Sequence, residues 1–171
     1  MKLKIRNLNF VFKHLGPPDV NTVWYGPEYD HSIGGRGGSY LYLMIAQNIR
    51  TQFTRIGVIE SMVAPLLSPK CLSFWTQLRG ADTSIEVILV RYGESVPKTN
   101  QTYTLSAPNS IVGTKNVWTQ IKLNIDPKQF PFTKVFAVRI KGKVSNLHSF
   151  IALDDVMLTD GDCGTRPQPH P

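Results

Sequence analysis

In VFAVRIK (135–141), Phe136, Val138 and Ile140 alternate with Ala137, Arg139 and Lys141. Successive side chains of a β-strand point to opposite faces, so this spacing gathers three apolar residues on one side and both cations on the other. The same period of two runs through WTQIKLNI (118–125), where Ile121, Leu123 and Ile125 oppose Lys122 and Asn124. It recurs in CLSFWTQL (71–78), where Leu72, Phe74 and Leu78 oppose Ser73 and Gln77. SIEVILVRY (84–92) and YLYLMI (40–45) are nearly apolar on both faces, the pattern of central strands covered from two sides. No convincing amphipathic helix interrupts them.

Between these runs lie Gly-, Pro- and Asn-bearing segments: GPEYDHSIGGRGGS (26–39), APLLSPK (64–70), YGESVPKTNQ (92–101) and SAPNSIVGTKN (106–116). Many short strands separated by turn residues predict an antiparallel sandwich or barrel. GTRPQPHP (164–171) reads as a Pro-rich tail or linker after the domain.

A length of 171 residues is that of one domain with a single core, and 42% hydrophobic against 18% charged residues is a globular balance. No segment reaches the uncharged apolar length that spans a bilayer. The opening MKLKIRNLNFVFKHLGPP (1–18) has the cations of a secretion leader, but Asn9 and Lys13 break its apolar stretch and no small-residue cleavage site follows. It is expected to be folded, or a shortened start. The net charge of +7 is spread along the chain. Its clearest local pattern is Arg139, Lys141 and Lys143, which share one strand face: an ordinary solvated face, or a patch for sulfated glycans or an acidic protein surface. No nucleic-acid reader motif accompanies the charge.

FIALDDVMLTDGDC (150–163) is the one place where acid chemistry suggests itself. In a regular strand Asp154 shares a face with Ala152 and Val156, and Asp155 shares the other with Leu153 and Met157. Two carboxyls must face one bond to hydrolyse it, so unless a bulge breaks the strand the pair is expected to be structural, with one Asp accepting hydrogen bonds inside the domain. His14, His31, His148 and His170 have no HExxH spacing, and GGRGG (34–38) lacks the Lys-Ser/Thr of a phosphate loop. That loop instead tolerates unusual backbone angles before Tyr40. Trp75 is expected on the face opposite Phe74, and His31 in a packing or hydrogen-bonding role. Asn100-Gln101-Thr102 is a glycosylation sequon in an expected loop, meaningful only on the secretory route.

Cys71 and Cys163 are too far apart for a CxxC site. Their spacing alone allows a disulfide or two buried thiols.

The ordered series GPEYDHSIGGRGGSYLYL, LLSPKCLSFW, the Trp118 strand and FIALDDVMLTDGDC resembles the MAM domain, an extracellular module of meprins, a neuropilin-type antigen and mu-type receptor tyrosine phosphatases. The resemblance divides the chain into an atypical start (1–23), a MAM-like domain (24–163) and a tail (164–171). It implies a jelly-roll sandwich of two antiparallel sheets, a Cys71–Cys163 disulfide and a non-catalytic role at the cell surface within a longer parent. It further implies a protein partner, a second copy included, and a structural calcium or sodium ion near Asp30 with Asp155 assisting. Asp30 capping a turn is the alternative. Residues 1–23 lack the family's usual first cysteine pair and Phe-Glu, with Trp24 alone matching its opening stretch. A lectin-like carbohydrate or glycosaminoglycan binder, and an ancillary domain of a secreted metalloprotease, are the competing readings.

Overall fold

Among the described residues of the computed structural model eleven strands follow one another: β1 (Arg6–Leu8), β2 (Val11–His14), β3 (Ser39–Met44), β4 (Arg55–Glu60), β5 (Ala64–Pro65), β6 (Lys70–Arg79), β7 (Ser84–Tyr92), β8 (Lys98–Ser106), β9 (Thr119–Ile125), β10 (Val135–Val144) and β11 (Phe150–Asp160). The structure describes residues 6–8, 11–14, 26–34, 38–44, 54–80, 83–92, 98–106, 117–130, 135–145 and 149–164, with 6–8, 11–14, 91 and 98–106 described by their backbone. No α-helix occurs among them; a single 3-10 turn, Pro127–Gln129, is capped by Asp126, whose side chain accepts from the Lys128 N–H.

The strands form two antiparallel sheets of a jelly-roll sandwich. One runs β1-β4-β10-β7-β8, with β5 also pairing β10, and the other runs β2-β3-β11-β6-β9. The core lies between them, where Phe136, Val138, Ile140 and Val144 of β10 meet Leu41 and Leu43 of β3, Leu72 and Phe74 of β6, and Ile151 and Leu153 of β11. The period-two sets read from the sequence are therefore the inward rows, with Ile125 buried and Ile121, Leu123 and Leu78 packed on the core margin. Each such side chain contributes about 1.5–3 kcal/mol through burial.

The double-sided apolarity of 40–45 has a local cause. Leu41 and Leu43 face the core, while Tyr40 and Tyr42 join Phe150 and Ala152 in a second cluster on the outer face of the five-stranded sheet.

Residues 6–8 and 11–14 each add a strand, β1 against β4 and β2 against β3, so the opening of the chain is part of both sheets. Trp24 lies outside the described residues, as do His148, His170 and most of the tail.

The sequon departs from expectation. Asn100 lies in β8, not in a loop. Ile88 pairs Thr102 but Val90 pairs Thr99, so Asn100 and Gln101 together oppose Leu89 as a bulge.

Cys71 and Cys163 are joined by a disulfide with a Cα–Cα distance of 5.0 Å and a sequence separation of 92. It ties the start of β6 to the segment just past β11, and closing a loop of that length stabilises by roughly 4–5 kcal/mol in the chain-entropy account.

Candidate functional site

The loop before β3 lies over the outer face of the five-stranded sheet and is fastened there residue by residue. Tyr40 Oη donates to the Pro27 carbonyl at 2.7 Å, and Trp118 Nε1 donates to the Tyr29 carbonyl at 3.1 Å. Asp30 is buried and closes the turn, its Oδ1 accepting from the N–H groups of Ile33 (3.1 Å) and Gly34 (3.2 Å). A Cβ on Gly38 would stand 2.0 Å from the Asp30 carboxyl carbon, so only glycine leaves room for this cap. Gly34, with φ +64, supplies the unusual backbone angle expected of the glycine-rich loop.

His31 is the centre of the fastening. Its N–H donates to Asp154 Oδ2 at 2.9 Å, and its Nδ1 lies 2.9 Å from Asp155 Oδ2. Ser32 Oγ donates to Asp155 Oδ1 at 2.7 Å. The imidazole stacks on Trp75, centroids 3.6 Å apart and planes at 16°, and meets Trp118 edge-on at 6.4 Å. Trp118 in turn stands edge-on to Tyr40 at 5.7 Å. Phe74 is buried in the core and Trp75 faces the loop, as their adjacency predicts.

Both carboxylates reach one residue, Asp154 at the backbone N–H of His31 and Asp155 at its imidazole, which corrects the expectation that regular strand geometry would part them. Asp154 pairs Trp75 and Met157 pairs Ser73, so Asp155 and Val156 together oppose Phe74. Asp155 adopts φ +48, a left-handed conformation that Asp tolerates better than most residues. The bulge changes the parity of β11: Ile151 and Leu153 point to the core before it, Val156 and Leu158 after it. Without it Asp155 would follow Leu153 into the apolar core, at the cost of a desolvated charge. The slip from spacing two to spacing three (151, 153, then 156, 158) is visible in the sequence. It was masked by Phe150, Ala152 and Met157, which are apolar on the other face.

The pair is occupied with hydrogen bonding. Asp154 Oδ1 accepts from the Asp155 N–H at 2.8 Å while Oδ2 accepts from His31. Burial holds Asp154 above the usual carboxylate range, against these two backbone hydrogen bonds and with help from the charges of Asp155 and Asp30. Calcium needs six to eight oxygens. Among the described residues no three or more His, Cys, Asp or Glu gather as a metal shell, so a cation at Asp30 and Asp155 needs oxygens from elsewhere.

The basic stripe is largely balanced. Arg139 pairs directly across the sheet with Glu60, and its Nε donates to Glu60 Oε2 at 2.7 Å. Lys141 lies opposite Glu86, with Nζ 3.3 Å from Oε2. Lys143 is exposed.

The family described as MAM domain, meprin/A5/mu, matches residues 17–164. The chain belongs to the MAM domain family. This MAM domain is 24% identical over 149 residues to thyroid hormone-induced protein B of Xenopus laevis, covering 86% of this chain and 20% of that protein, so it spans about a fifth of the relative's length. Among solved structures it is similar to the K3 cleaved adhesin domain of Lys-gingipain from Porphyromonas gingivalis w83, with TM-score 0.52 and 16% identity over 92% of this chain and 91% of that one. It is also similar to the enzymatically active domain of bacteriophage CBA120 tailspike protein 4, with TM-score 0.51 and 12% identity over 91% of this chain and 19% of that one. At these identities the likeness is one of fold. Membership of an extracellular adhesion-type family agrees with the Cys71–Cys163 disulfide, which oxidising compartments preserve. No helix among the described residues is long and apolar enough to cross a membrane.

Proposed function

We propose that this MAM domain is a non-catalytic protein-interaction module, one unit of a longer cell-surface or secreted protein, that holds a protein partner on the surface around the His31 clasp. The observation that carries this reading is what the clasp turns outward. Tyr29 (45% exposed), Ile33 (67%), Val117 (68%) and Met157 (48%) are large apolar side chains left in water. They belong to segments that the clasp links: Tyr29 is bonded to Trp118, beside Val117, and His31 to Asp155, two residues before Met157. Exposed apolar side chains carried on segments fastened to one scaffold are the kind of anchor that protein interfaces use. The acid pair, meanwhile, is spent on fixing the loop. A glycan reading gains little from the stripe, since Arg139 and Lys141 already have carboxylate partners.

The test is adhesion of beads coated with the full chain, secreted behind a leader, to cells of several types. Replacing Ile33 and Val117 together by Ser should cut adhesion about tenfold while leaving the unfolding midpoint in place. Bead-to-bead clustering lost in the same variant would make the partner a second copy. Unchanged adhesion, or adhesion abolished by deglycosylating the cells but not by proteolysis, would overturn the proposal.

A further inference from the structure

Among the described residues four strands end the main strand orders of the two sheets, β1 and β8 in one and β2 and β9 in the other, while the two-residue β5 pairs β10 alone. An edge strand presents unpaired N–H and C=O groups, and proteins blunt such edges with shortness, bulges, proline or charge. Three of the four are blunted here. β1 has three residues and β2 four, and β8 is broken by the bulge at Asn100 and Gln101.

β9 has only one of these devices, the charge of Lys122. Its seven residues pair β6 without a register shift, from Lys70↔Ile125 to Thr76↔Thr119. It contains no proline and a single charge, Lys122. Gln120, Lys122 and Asn124 stand exposed on the outer face, while Ile121 and Leu123 are only partly buried on the inner one, so the core is open along this margin. No strand flanks β9 on its far side among the described residues.

We infer that β9 receives an extended segment of a partner protein as a further strand, the partner's apolar side chains facing Ile121 and Leu123 and an acidic one facing Lys122. This rests on the protein-interaction reading above and names how the partner is held. Main-chain hydrogen bonds supply affinity in strand addition, and alternate side chains supply specificity. Charge selects the occupant. A second copy would set a chain of net charge +7 against another, whereas an acidic segment is complementary to it. The site continues into the exposed patch, because Val117 and Trp118 lead into β9 and Trp118 is bonded to Tyr29.

The experiment uses the full isotope-labelled chain and a synthetic capped octapeptide alternating Val with Glu. The peptide should slow amide exchange about tenfold at alternate residues of 119–125, leaving the other strands unchanged. Methylating alternate peptide nitrogens should abolish this protection by removing the ladder donors. Lys122→Glu, an exposed change that leaves the core alone, should weaken the Glu peptide about three- to fivefold and favour its Lys counterpart. Absent protection, equal binding of the methylated peptide, or a peptide-free dimer with the β9 amides already protected would each overturn the inference. If bead adhesion survives while these fail, the partner is held at the Tyr29 and Ile33 surface without strand addition.

Discussion

Asp155 Oδ2 lies 2.9 Å from His31 Nδ1 across 124 residues of sequence, at the one described non-glycine residue with a positive φ. The bulge in β11 makes this contact, and the contact gives the bulge a purpose. Asp155 leaves the inward row, fastens the loop before β3, and spares the core a carboxylate.

Asp155→Ala should therefore cost about 2–4 kcal/mol. The left-handed conformation disfavours alanine by ~1–2 kcal/mol, and the bonds to His31 and Ser32 add the rest. Asp155→Asn keeps the backbone tolerance and part of the bonding, and should cost less than half as much. Urea unfolding of both variants measures the difference; equal losses would mean that the backbone conformation is unimportant.

Gly38→Ala should destabilise by about 1–3 kcal/mol, because the new Cβ meets the buried Asp30 carboxyl. Asp30→Ala should also destabilise, through the lost cap. In the double variant the steric part disappears, so the two losses should fall short of additive, and a double-mutant cycle reads this directly.

Cys71→Ser with Cys163→Ser should lower stability by roughly 4–5 kcal/mol, the entropy of a loop with separation 92. Non-reducing peptide mapping of secreted protein should show the Cys71–Cys163 link, and free thiols there would contradict the structure.

The pH dependence carries the sign of Asp154. Burial, then the charges of Asp155 and Asp30, raise its folded pKa above the ordinary value of 3.8, so the folded state takes up the proton first. That contribution grows as pH falls through the folded value and levels off below 3.8. Wild type should thus gain on Asp154→Asn as pH drops from neutral towards about 4. Asp160, lowered by its bond to Lys70, acts with the opposite sign but equally in both proteins. Urea midpoints across this range decide it, and a constant gap would refute the assignment.

Gln77 offers a gain. It is 4% exposed, and neither its Nε2 nor its Oε1 has a hydrogen-bond partner among the described residues. Replacing a buried, unpaired amide by an apolar group of similar size removes a desolvation cost, so Gln77→Leu should stabilise by about 1 kcal/mol. A loss measured by thermal unfolding would show that an ordered water satisfies the amide.

Gln77 also shows where reading alternation stopped short. Period two correctly set it opposite Leu72, Phe74 and Leu78, yet the face away from the core is itself covered, by Tyr40, Tyr42, Phe150 and Ala152 and the loop above them. Lys141 is a parallel case: its face was legible, but its Glu86 partner belongs to another strand.

By itself the sequence determined the two sheets' inward rows, such as Phe136, Val138 and Ile140, and through its resemblance the closing strand and the disulfide. These are properties of alternation along one strand and of residues in a fixed order. Tertiary structure alone decided that Asp154 and Asp155 converge, that His31 lies on Trp75, that Asn100 sits in a bulged strand, and that β9 is, among the described residues, a long edge strand without bulge or proline. Each depends on the register between strands distant in sequence: a single extra residue opposite Phe74 reverses which side chains face the core, and only the pairing of β6 with β11 places it there.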